Sequence, residues 1–146
     1  MRKSKGFTLI ELMVVVGIIG LLSSVILVAV TSGRSRARDG RRKADIKQLQ
    51  AAVELYFNAN NTYPTNSSPQ CADDEAGALG VITPTFLPAL PRTQPGIACI
   101  LYRGTAIDYK LSTPLENPDT DALNTGDGGT DDNRFEVFTG VGRTLF

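Results

Sequence analysis

Residues 12–33 run for 22 positions without a charge (LMVVVGIIGLLSSVILVAVTSG). Beyond them the apolar pattern changes period: Ile46, Leu49, Val53 and then Tyr56 or Phe57 recur at spacings of three and four, the mark of an amphipathic helix. Ala51, Ala52 and Ala59 favour helix, and Asn60-Asn61-Thr62 followed by Pro64 supplies the stop. The two patterns predict one continuous helix of about 50 residues, apolar all round in its first half and striped in its second, with Gly40 a mild interruption. As a helix the uncharged run rises roughly 33 Å, close to the thickness of bilayer hydrocarbon, so it is expected to span a membrane.

After the helix, Pro64, Pro69, Pro84, Pro88, Pro91 and Pro95 mark residues 65–96 as a long loop with room for a short helical turn at 73–79. Residues 97–102 and 106–112 predict a hairpin turning at Gly104, since Ile107, Tyr109 and Leu111 alternate against Ala106, Asp108 and Lys110. A further strand is expected at 135–139. A small antiparallel sheet must bury its apolar face somewhere, and the helical stripe is the face that needs covering, so the fold class is α+β.

Composition narrows the chemistry. The chain of 146 residues has no histidine, which excludes Ser-His-Asp and Cys-His nucleophiles, an imidazole base and any His-containing zinc site. Asp and Glu alone remain for acid and base work; adjacent pairs such as Asp131 and Asp132 in a Gly-rich loop are ordinarily solvated, and no catalytic role is expected. The balance of 15 basic against 15 acidic residues hides segments: residues 1–5 carry +3, residues 34–47 carry seven basic and two acidic (+5), and residues 48–146 carry five basic and twelve acidic (−7). The basic run Arg34, Arg36, Arg38, Arg41, Arg42, Lys43 directly follows the apolar stretch, which suits phospholipid head groups or the acidic surfaces of neighbouring subunits. No aromatic residues interleave with it for base stacking, which argues against nucleic acid.

One residue does not fit a plain membrane anchor. Glu11 is a carboxylate at the front of an apolar helix, where it costs energy unless it has a partner. It lies in Lys5-Gly6-Phe7-Thr8-Leu9-Ile10-Glu11-Leu12-Met13, which resembles the prepilin peptidase site of type IV pilins and type II secretion pseudopilins. The stretch from Ala44-Asp45-Ile46 to Tyr63-Pro64 resembles the major pseudopilins in turn. The resemblance implies a pilin-like fold, a cut between Gly6 and Phe7, N-methylation of Phe7, and a Glu11 that neutralises the terminal amine of a neighbouring subunit. A glycine before the cut has a physical reason, since a residue without Cβ lets the peptidase approach the backbone. Where many relatives carry a helix-loosening proline this chain has Val28, so helix melting on assembly lacks that device here.

The expected organisation is a leader at 1–6, a membrane and polymerisation helix at 7–33, its amphipathic continuation at 34–62 and a loop-and-sheet domain at 63–146. The implied partners are identical subunits, prepilin peptidase, an inner-membrane assembly platform, minor pilins or pseudopilins, and membrane lipid. The implied location is the inner membrane with the C-terminal domain outside the cytoplasm, then a filament. Counting cations gives the opposite orientation, three before the apolar stretch against six after it, and the narrower prepilin motif takes precedence. Cys71 and Cys99 on an exported domain suit a disulfide, with two buried thiols as the alternative. In residues 116–132, ENPDTDALNTGDGGTDD, the oxygen-rich side chains of Asp119, Asp121, Asp127 and Asp131 suit calcium, although the spacing is not that of an EF-hand. A solvated acidic loop is the alternative. The function that follows is a non-catalytic filament subunit, a major pseudopilin of type II secretion. A major type IV pilin and an unpolymerised membrane-anchored binding module are the other readings.

Overall fold

The computed structural model describes residues 6–93, 98–117, 131 and 133–140; within the helix the side chains of Val25, Leu27, Val28 and Ala29 also lie outside the described set. Helix α1 spans Leu9–Asn60, and β1 (Gln70–Cys71), β2 (Leu101–Gly104), β3 (Tyr109–Pro114) and β4 (Arg134–Phe138) follow, with a 3-10 turn at Ala78–Ile82. The chain divides into two compact units, Met1–Ala37 and Arg38–Phe146. The second half of α1 therefore belongs with the sheet, and the division falls a few residues beyond the end of the uncharged run.

Within the second unit the four strands form one antiparallel sheet in the order β1-β2-β3-β4. Pairing of Tyr102 with Leu111, Leu111 with Val137 and Thr113 with Phe135 puts these residues on one face. That face closes on the helical stripe: Ile46, Leu49 and Val53 are buried in one cluster with Tyr102, Tyr109, Leu111 and Phe135. The architecture is the α+β, pilin-like one, built because neither the stripe nor the sheet can bury its apolar face alone. The loop completes the cluster with Ala72, Leu79, Ile82, Leu87 and Leu90.

The helix ends as its asparagines direct. Asn61 takes a left-handed conformation (φ 56) that asparagine tolerates, and its N–H donates to the Phe57 carbonyl at 2.7 Å. Tyr63 N–H then donates to the Ala106 carbonyl at 3.2 Å, which ties the exit to the β2–β3 turn.

Element boundaries differ from the sequence expectation for local reasons. The helical turn lies at Ala78–Ile82 rather than 73–79, because Asp74 Oδ1 accepts from Ala76 N–H at 3.0 Å and holds that stretch in a side-chain turn. The hairpin turn is Thr105–Asp108, closed by Thr105 N–H on the Asp108 carbonyl at 2.7 Å and by Asp108 N–H on Thr105 Oγ1 at 3.1 Å. Strand β3 thus starts at Tyr109, and Ile107 stands 75% exposed at the tip. Gly104 lies inside β2 instead of turning the chain, and a Cβ there would collide with the Pro64 carbonyl and the Tyr102 hydroxyl.

The opposite face of the sheet is polar and still buried. Lys110 Nζ and Glu136 Oε1 form an ion pair at 3.0 Å with side chains 0% and 2% exposed, and Arg134 donates to the hydroxyl and carbonyl of Ser112 beside them. A buried pair of this kind is costly to break by removing one member.

Candidate functional site

The N-terminal unit is a helix with its cap. Thr8 precedes the first helical residue, and its N–H and Oγ1 donate to Glu11 Oε2 at 2.9 and 2.7 Å while Glu11 N–H donates back to Thr8 Oγ1 at 3.3 Å. This is a capping box, Thr-x-x-Glu, satisfying two of the amides that a helix start leaves unpaired. The pattern is legible in the sequence once Thr8 is read as the cap. It gives Glu11 a partner inside its own chain, next to the one expected from a neighbouring subunit.

Gly6 and Phe7 precede the cap outside any regular element and are exposed, and among the described residues nothing lies within 4 Å of where a Gly6 Cβ would stand. From Phe7 to Gly33 every described side chain is exposed within the single chain; Phe7 is 81%, Ile10 70% and Leu21 69% exposed. Among the described residues no helix is long and apolar enough to cross a membrane; the omitted Val25, Leu27, Val28 and Ala29 fall in this stretch.

Where α1 enters the second unit, the basic run divides. Arg38 grips Glu116 with two hydrogen bonds, Nε to Oε1 at 2.8 Å and Nη2 to Oε2 at 2.6 Å. Arg42 donates to Glu116 Oε1 at 3.2 Å and to the Pro114 carbonyl, and Lys43 lies 5.4 Å over the Phe135 ring. Asp39, only 6% exposed, accepts from Glu116 N–H at 2.9 Å and from Asn117 N–H and Nδ2 at 3.0 and 3.1 Å. The Arg38 hydrogen bond, helped by the charges of Arg38 and Arg42, holds the Glu116 carboxyl below its ordinary range. These residues clamp the entry of the acidic segment onto the helix. Sequence reasoning missed the clamp, because a contact between positions 39 and 116 leaves no local spacing to read.

The candidate calcium ligands Asp119, Asp121 and Asp127 lie outside the described residues. Asp131 is described: its Oδ1 accepts from Asn133 N–H at 2.9 Å, and its carbonyl accepts from Arg134 N–H at 3.0 Å, forming a turn into β4. Among the described residues no group of three metal-ligating side chains gathers. Cys71 in β1 and Cys99 just before β2 are joined in a disulfide with Cα atoms 5.5 Å apart.

The family pattern described as the prokaryotic N-terminal methylation motif matches residues 1–27. Proteins named type II secretion system core protein G are similar over most of the chain. That of Klebsiella michiganensis is 31% identical over 137 residues, covering 90% of this chain and 91% of its own. That of Escherichia coli K12 is 31% identical over 135 residues, covering 87% and 84%. The Pseudomonas aeruginosa protein is 42% identical over 64 residues, 44% of this chain and 45% of its own. No solved structure matches at a significant level. With the capped helix, the open Gly6–Phe7 bond and this likeness extending through the sheet domain, the chain belongs to the family of the type II secretion system core protein G.

Proposed function

We propose that the chain is the self-polymerising structural subunit of a type II secretion filament, a major pseudopilin made as a membrane-inserted precursor and matured by prepilin peptidase. Residues 1–6 are the leader, 7–33 the single-pass anchor and later the filament core, 34–62 the helix leading into the domain, and 63–146 the remainder of that domain outside the cytoplasm. The observation that carries this reading is the exposed apolar surface of α1 from Phe7 onward. Soluble monomers rarely expose a contiguous apolar surface of this kind, and two environments bury it in turn, the bilayer before assembly and neighbouring helices after it.

Gly6 supports the cut because it is exposed and, among the described residues, nothing crowds it. Glu11, fifth in the mature chain, pairs with the methylated amine of Phe7 in an adjacent subunit, so each incoming copy brings one charge and finds the other. Identical copies and prepilin peptidase are the primary partners; an inner-membrane assembly platform and minor pseudopilins complete the set. No step in this scheme asks the chain itself for catalysis.

The test is peptide mass spectrometry on sheared surface filaments and on the washed envelope. Mature protein beginning at N-methylated Phe7 and confined to the envelope is the expected result. Mature protein in the sheared fraction would assign the chain to a surface pilus instead, and an intact leader in both fractions would leave an unpolymerised, membrane-anchored binding module.

A further inference from the structure

Six cations follow the apolar stretch, and the domain occupies three of them. Arg38 and Arg42 bind Glu116, and Lys43 rests on Phe135. Arg41 lies near Asp45. Arg34 and Arg36 are exposed and make no hydrogen bond or ion pair among the described residues. They stand one and three positions after Gly33, where the uncharged run ends.

Their placement on the helix says what kind of partner fits. Two positions apart, Arg34 and Arg36 are about 200° apart around the axis and about 3 Å apart along it. A partner lying on one side of the helix, such as another helix or a folded domain, meets one of them and misses the other. A layer that surrounds the helix at one level meets both. Guanidinium is also the group whose planar fork matches phosphate oxygens in pairs, and both side chains carry long apolar stems that can lie along the helix while the heads reach outward.

We infer that Arg34 and Arg36 bind the phosphates of anionic phospholipid head groups on opposite sides of α1, fixing the depth of the precursor in the leaflet next to its domain. The inference rests on the single-pass reading above. It also gives the divided basic run a logic: cations that face the domain hold the domain, and the pair nearest the apolar stretch holds the membrane surface.

The test uses the full chain reconstituted in phosphatidylcholine vesicles carrying a trace of spin-labelled phosphatidylglycerol or spin-labelled phosphatidylcholine. Electron paramagnetic resonance reads the fraction of each label immobilised at the protein. The parent chain is expected to retain the phosphatidylglycerol label several-fold better, by about five-fold per engaged cation, with the preference falling at high salt. The Arg34→Gln/Arg36→Gln double variant is expected to hold the two labels equally, while Lys47→Gln keeps the parent preference. Equal retention by the parent, or an unchanged preference in the double variant, overturns the proposal. So does a double variant that keeps its lipid preference but loses cross-linking between copies, which would assign the arginines to a second subunit. Chain stripped from the vesicles by alkaline carbonate would instead overturn the single-pass reading itself.

Discussion

Glu54 accepts hydrogen bonds from Tyr63 Oη at 3.1 Å and Tyr109 Oη at 2.9 Å, so one helical carboxylate satisfies the residue that exits the helix and the first residue of the central strand. Glu54→Ala would take this acceptor from both phenols, leaving Tyr63 unsatisfied at a cost of about 1–3 kcal/mol while Tyr109 keeps its hydrogen bond with Gln50, whereas Glu54→Gln keeps an acceptor and should lose less. Thermal unfolding of the full chain in detergent measures the difference; equal losses would mean that packing, not the hydrogen bonds, sets the effect. The same phenols predict an alkaline limit. Burial, reinforced by Glu54, pushes Tyr63 up to about 12 from its ordinary 10.0, and burial pushes Tyr102 and Tyr109 up as well. A raised folded value means stability fully present below pH 10.0 and lost as the pH climbs toward about 12. Ionisation of Tyr63, Tyr102 and Tyr109, followed by absorbance, should therefore coincide with loss of the folded circular dichroism signal, and their ionisation ahead of unfolding would contradict this.

At the level of elements, α1 has one sequence and two roles, and Glu11 serves both. Its carboxylate completes the capping box with Thr8, and by the proposal it also supplies a charge to the next subunit. Glu11→Gln separates these, because glutamine serves a capping box but carries no charge. The variant should leave the monomer helical and membrane-inserted and abolish or shorten filaments in electron micrographs. Normal filaments would leave Glu11 as a cap alone. The Glu116 clamp carries an acid-side prediction. The carboxyl is held below its ordinary 4.5 by Arg38, so its contribution is present above pH 4.5 and is lost as the pH falls through the lowered folded value. Amide exchange at Glu116 and Asn117 should quicken under acid before the β2–β3 pairing loosens, and simultaneous loss of both would deny the clamp a separate stability.

For the molecule as a whole, the disulfide ties the proline-rich loop to the sheet across a separation of 28 residues. Loop closure of that length contributes about 3–4 kcal/mol by restricting the unfolded chain. Reduction should lower the midpoint of denaturation by a corresponding amount, and no change on reduction would mean that the proline loop is already restricted without the bridge. Much of this architecture was legible in advance, because the Ile46, Leu49, Val53 stripe and the alternation around Tyr109 and Leu111 are short-range patterns with one buried face each. What escaped is long-range or too small to carry a period. Strand β1 is two residues long, the buried Lys110–Glu136 pair reads locally as solvated charge, and Asp39 looks like any acid among arginines until Glu116 arrives.

That late arrival has a consequence in time. Asp39 meets Glu116 and Asn117 across 77 and 78 positions of chain, and β3 and β4 come well after the stripe they cover, β4 later than β3. At about 5–20 residues per second, a ribosome releases the stripe roughly 4–15 s before its cover exists. Throughout that interval the newborn chain has no closed domain to resist being drawn through a narrow channel, so the same distant pairings that slow folding also keep the protein threadable until its last strand has been made.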